Sequence, residues 1–243
     1  MSEFKFPTEE VELPSKGIVY PKDHPLSSGI IEIKYMTAKE EDILSNQSFI
    51  QKGTVLDKLL SSLIVNKKID INDFIVGDKN AVFVAARVLG YGKDYEVTIK
   101  NQSYTLDLST LENKEFDTEG LEQGKNEFPY TLESSNTAIT YKILTGKDEK
   151  SIEREIAGLK KFNKEASADL TTRLKYMITS IDGNEEIESI RKFIDHRLLA
   201  RDSRAFREHI KNTQPDVNLN YILENGEEVA IPIGLNFFCP PSN

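Results

Sequence analysis

Apolar positions in the first third of the chain recur mostly at helical spacing, interrupted by one short alternating run. Ile30 to Tyr35 alternates apolar and polar residues and predicts a strand. Thr37 followed by Glu40 has the spacing of a capping box and predicts a helix to about Asn46. Thr54 and Asp57 repeat that spacing. Val55, Leu56, Leu59, Leu60, Leu63 and Ile64 then recur with helical period, predicting an amphipathic helix to about Asn66. Asp70 to Ile75 reads as a short helix. Asp78 reads as the cap of another, with Val82, Ala85, Ala86 and Leu89 on one face and Gly90 or Gly92 at its end.

The period then changes to two. Tyr95, Val97 and Ile99 alternate with polar residues, Asn101-Gln102 reads as a turn, and Tyr104, Leu106 and Leu108 alternate again, which predicts a hairpin. A second pair is Phe128 to Leu132 and Ala138 to Leu144, turned at Ser134-Ser135-Asn136. Between the pairs, 109–127 is acidic and weakly patterned, as in an exposed loop. Helical spacing returns from Lys147, predicting helices near 148–163, 167–181 and 186–212, the last with a break between Leu199 and Ser203. Val217 to Leu223 and Glu227 to Ile233 read as strands joined by Asn225-Gly226. That dipeptide suits a type I′ turn, whose two central residues take positive φ.

These elements predict an α+β fold: antiparallel hairpins with an N-terminal helical cluster, a helical C-terminal half and a terminal β-hairpin. The strands cluster instead of alternating with helices, which disfavours a parallel sheet. Three regions follow: an extended Pro-rich arm over 1–28, an α+β lobe over 29–146, and a helical lobe with the C-terminal hairpin over 147–243.

Composition narrows the function. The net charge of −9 over 243 residues repels phosphate and disfavours broad nucleic-acid binding. The one cysteine, Cys239, excludes an intrachain disulfide. The first ten residues lack a basic stretch followed by an apolar core, and the longest apolar runs are too short for a bilayer, so neither a secretory leader nor a membrane partner is expected. A cytosolic product of a reducing cell is the simplest reading.

Reactive motifs are absent or incomplete. Leu144-Thr145-Gly146-Lys147 invites a phosphate-loop reading, but Tyr141 stands where that motif needs glycine, and Asp148 where it needs Ser or Thr. The three histidines, His24, His196 and His209, have no ligand spacing on one helix face. No nucleophile elbow is present. No catalytic, cofactor-binding or metal-ligating residue is therefore assigned, and the chain reads as a binding protein and not an enzyme. A carboxylate hydrolase, such as one acting on cell-wall glycan, is a weaker alternative that needs two convergent acids in one pocket.

Three segments suggest docking. Residues 191–211 hold seven basic side chains against three acidic ones, and Arg197, Arg201 and Arg204 are spaced to share a helical face. Such a stripe suits an acidic partner surface or, as an alternative, nucleic acid. The tail carries Phe237-Phe238, which in extended chain face opposite sides, one free for a neighbour. The arm carries Pro14, Lys16, Gly17 and Tyr20, pre-extended by proline.

The order of these segments adds a resemblance. Leu13-Pro14-Ser15-Lys16-Gly17-Ile18-Val19-Tyr20-Pro21, then a strand, then Thr37-Ala38-Lys39-Glu40-Glu41-Asp42-Ile43-Leu44, then Ile231-Pro232-Ile233 and Phe237-Phe238-Cys239-Pro240 resembles the small baseplate hub proteins of T-even-type contractile-tail phages. The resemblance spans nearly the whole chain. It implies a hub subunit or hub assembly protein that binds other tail proteins in the host bacterial cytoplasm, and either stays in the virion or leaves as an assembly chaperone. It implies no cofactor.

Overall fold

The N-terminal segment is a strand and not a free arm. In the computed structural model, which describes residues 7–99, 102–162, 169–223 and 225–238, β1 (Thr8–Glu12) pairs antiparallel with β2 (Ile30–Lys34). The loop between them lies on the molecule, with Leu13, Val19, Tyr20 and Leu26 buried.

α1 (Ala38–Leu44) begins at the expected capping box, where Thr37 donates its N–H and hydroxyl to the Glu40 carboxylate at 2.9 and 2.6 Å. Glu40 is fully buried and also accepts from Lys34 at 2.7 Å and Ser62 at 2.5 Å. α2 (Gln47–Gln51), α3 (Val55–Leu63) and α4 (Val76–Tyr91) follow. α3 stops before the expected Asn66 because Ile64 turns out to bridge Ile33, and the Val65 N–H bonds the Glu32 carbonyl at 3.1 Å. Thr54 makes no side-chain cap, and Asp57 pairs with Lys79 and Lys150 instead, each at 3.2 Å. The short helix expected over 70–75 does not form. Asp70 accepts the Asn72 N–H at 2.9 Å, an Asx turn that competes with helix.

β3 (Asp94–Ile99) and β4 (Gln102–Asp107) form the first expected hairpin, whose turn residue Asn101 lies outside the described residues. β5 (Phe128–Leu132) and β6 (Thr137–Tyr141) form the second. α5 (Gly146–Phe162) and α6 (Asp169–Met177) come next. The helix expected to run to 181 gives way to β7 (Ile178–Ile181), which joins the free side of β6 and buries Ile178 and Ser180. α7 (Ile187–His196) and α8 (Ala200–Thr213) are two helices, broken at 197–199, earlier than the expected Leu199 to Ser203, which the first turn of α8 occupies. β8 (Asn220–Ile222) and β9 (Glu228–Ala230) make the terminal hairpin, with Gly226 at φ +79° donating to the Leu223 carbonyl at 2.8 Å. α9 (Leu235–Phe238) ends the described chain. The fold is α+β, as the sequence predicts.

Buried side chains divide the chain differently from the expected boundary near 146. One core joins Ile33, Leu59, Leu63, Phe74, Val82 and Leu106 to Ile231, Phe237 and Phe238. The other gathers Leu132, Ile139, Leu174, Ile178, Phe193 and Phe206. The β5–β6 hairpin thus belongs with the helices, because β7 completes its sheet. The terminal hairpin returns to the first lobe. The chain crosses back where 215–216 press on α4 at Gly77: a Cβ there would sit 1.9 Å from the Pro215 carbonyl oxygen.

Candidate functional site

Both end motifs close on α4. Ser15 donates its N–H and hydroxyl to the Asp78 carboxylate at 2.9 and 2.7 Å. The Tyr20 hydroxyl donates to the same group at 2.6 Å and accepts the Ile75 N–H at 3.1 Å. Asp78 is therefore not the cap of α4. It stands inside the first turn, fully buried. Burial pushes its carboxyl above the usual range, against three donors that favour the ionised form. Burial and the neighbouring carboxylate push the Tyr20 phenol well up. Gly17 sits at φ +75°, and a Cβ on it would lie 2.5 Å from the Gly29 nitrogen and the Ser27 oxygen. Ser15, Gly17 and Tyr20 of the Pro-Ser-Lys-Gly-x-x-Tyr motif thus each have a folding role.

The tail does the same from the other end. Phe237 and Phe238 lie in a helical turn, not extended chain, with rings 5.4 Å apart at 88° and each 1% exposed. Phe238 meets Phe83 of α4 edge-on at 5.9 Å, and Phe237 meets Tyr95 at 5.3 Å. Buried Arg87, also on α4, donates to the Phe237 carbonyl at 3.0 Å and to those of Gly92 and Asp94. The expectation that the arm and tail offer apolar anchors to a partner is corrected here. Pro14, Gly17, Tyr20, Phe237 and Phe238 are all buried within this chain, because α4 presents a carboxylate to one end and an aromatic face to the other. Lys16 alone of that set is exposed, with its Nζ 3.3 Å from the Phe116 carbonyl. Cys239 lies outside the described residues.

The arginines are placed otherwise. Arg197 is the C-cap that follows α7, while Arg201 and Arg204 stand on α8, so the three share a corner and not one helix face. All three are exposed, and no ion pair holds them among the described residues. Leu199, 49% exposed, sits between them. The corner is rigidly backed. Phe193 and Ile194 bury α7, and Phe206 and Ile210 bury α8. Asp202 turns inward at the start of α8 and accepts the Ser134 and Ser135 N–H groups at 2.8 and 3.1 Å, tying α8 to the β5–β6 turn. Burial pushes its carboxyl up, yet these amide donors outweigh burial and hold it below the usual range. Two other arginines of the segment bond within the chain: Arg191 forms a fork with Glu155 at 2.8 and 2.9 Å, and Arg207 donates to the Ser203 carbonyl at 3.2 Å.

A cleft of about 860 Å³ lies between the lobes. Phe128 and Tyr141 floor it, and His209 faces them with its Nε2 3.0 Å from the Tyr141 hydroxyl. Burial lowers the His209 pKa, favouring neutral imidazole. The acids of the cleft, Glu112, Glu115 and Asp117, all stand on one loop, and α8 supplies His209, Lys211, Asn212 and Thr213 opposite. A pair of carboxylates facing each other across a bond, as sugar hydrolysis requires, is not among them. At Gly146, Asp148 bonds the Thr145 N–H and hydroxyl at 3.0 Å each, capping α5 where a phosphate loop would need an open nest.

Among the described residues no group of three His, Cys, Asp or Glu side chains could hold a metal ion, and no helix is long and apolar enough to cross a membrane. Compared with protein-family models, with curated proteins and with solved structures, the chain finds no significant match.

Proposed function

We propose that this protein is a structural or assembly component of a contractile-tail phage baseplate hub, acting by binding other tail subunits and turning over no substrate. The observation that carries the binding mode is the α7–α8 corner: three exposed arginines that form no ion pair among the described residues, Arg197 resting over the Phe193 ring, around an exposed leucine on a rigid support. That arrangement suits an acidic partner surface with a small apolar recess. The guanidinium groups steer and orient, and the leucine fills the centre. The link to the hub rests on the ordered end motifs. Their residues are those that fix the fold on α4, so the same motif order in hub proteins implies the same scaffold. In this reading the arm and tail build the scaffold, and the corner meets the partner.

The test is co-expression of the full chain with the hub subunits of a T-even-type phage, followed by affinity capture. Arg197→Glu, Arg201→Glu and Arg204→Glu together should abolish capture of the partner while circular dichroism stays unchanged. Undiminished capture would overturn the corner as the docking surface. The rival reading of the same corner is nucleic acid, which predicts retention on DNA that falls steeply with salt. Such retention, with no hub subunit captured, would replace the present proposal.

A further inference from the structure

The β1–β2 sheet has an unused edge. Bonds from Tyr35 to Pro7 and from Leu13 to Gly29 flank the paired strands, so in this register Glu9 and Val11 share hydrogen bonds with β2. The N–H and C=O groups of Thr8, Glu10 and Glu12 point the other way, and among the described residues none of them is bonded to another part of the chain. Beside this edge runs a groove of about 450 Å³, floored by Val84 and Val88 of α4 and walled by Leu111. Its size falls within the range of about 300–1,000 Å³ usual for ligand sites. The rim is acidic: Glu9, Glu10 and Glu12 are exposed and form no ion pair among the described residues. Glu10 stands directly opposite Glu32, whose carboxylate accepts the Thr8 hydroxyl at 2.6 Å. Like charges opposed across a sheet are destabilising, and a cation laid over them removes that cost.

We propose that this groove takes an extended basic segment of a partner protein, added as a third strand to the free edge of β1. Main-chain groups of Thr8, Glu10 and Glu12 would pair with the incoming strand. Its alternate apolar side chains would rest on Val84 and Val88, and its lysines or arginines would face Glu10 and Glu12. A second copy of this chain is disfavoured, because two molecules of net charge −9 repel. This surface is independent of the arginine corner and of opposite sign, so the chain bridges two partners of different chemistry.

The test uses the full chain and a fluorescein-labelled hexapeptide of alternating lysine and valine, read by fluorescence anisotropy. Three comparisons accompany it: the same peptide with glutamate for lysine, the same peptide N-methylated at every second amide, and the Glu10→Lys, Glu12→Lys chain checked for unchanged circular dichroism. Saturable binding is expected. It should weaken at least tenfold on N-methylation and in the charge-reversed chain, and vanish with the glutamate peptide. No saturable binding would overturn the proposal. Binding untouched by N-methylation would also overturn it, since that is adsorption by charge without strand pairing. A dimer detected by light scattering, lost in the charge-reversed chain, would assign the edge to a second copy and overturn it as well.

Discussion

The faces of α4 and the α7–α8 corner use similar residue types to opposite ends. On α4, Arg87 is buried and its donors are spent on three carbonyls. At the corner, Arg197, Arg201 and Arg204 are exposed and form no ion pair among the described residues. Around α4 the aromatic tail and the Ser15–Tyr20 loop are sealed, whereas Leu199 at the corner is half exposed. A motif can therefore be the most specific feature of a sequence because it fixes the fold, while the surface proposed to meet a partner looks ordinary. Burial and not motif strength separates the two.

Truncation should break the comparison most visibly. Phe237→Ala and Phe238→Ala should each cost about 3–5 kcal/mol, enough together to unfold a domain of ordinary stability, as urea or thermal unfolding will read. The triple glutamate variant of the corner should stay within roughly 0.5 kcal/mol of the parent in the same assay. Equal losses in the two variants would erase the distinction.

The buried carboxylates sharpen it through pH. Burial raises the Glu40 pKa, but bonds from Lys34, Ser62 and Thr37 outweigh it and hold the carboxyl at about 2, below its ordinary 4.5. The folded state thus resists protonation. The stability this gives is present above pH 4.5 and is lost as the pH falls toward 2, a change of about 3 kcal/mol. Glu40→Gln should remove that acid limb from a plot of unfolding free energy against pH. Asp78 slopes the other way. Its raised pKa means the folded state holds the proton more tightly, so its contribution is full below pH 3.8 and declines as the pH rises through the folded value. Asp78→Asn should flatten that decline. Asp78→Ala should cost about 1–3 kcal/mol at any pH, because it strands the donors of Ser15 and Tyr20.

What the sequence disclosed follows the range of each interaction. The capping box at Thr37 and Glu40 was legible because its partners are three residues apart. The second hairpin was legible for the same reason, while the break in the last long helix was expected but falls earlier, at 197–199. Asp78 was misread as a cap, since a lone aspartate before an apolar run has that local meaning. Its actual partners, Ser15 and Tyr20, lie 63 and 58 residues away. β7 was misread as helix because Leu174, Ile178 and Ile181 keep helical spacing, and only the open side of β6 decides otherwise. The residues expected to dock divided on the same ground. The exposed arginines could be picked out by charge, while the arm and tail were expected to stay partly outside. No local signal announced that α4 would bury both.

The most direct measurement is amide hydrogen exchange on the free, full-length chain. Ser15, Ile18 and Tyr20 donate within the chain, and the tail packs on α4. The account predicts that 13–20 and 235–238 exchange as slowly as α4 itself, with 197–204 among the surfaces that gain protection only when a partner is added. Rapid exchange of both end segments in the free protein, slowed only by the partner, would contradict it.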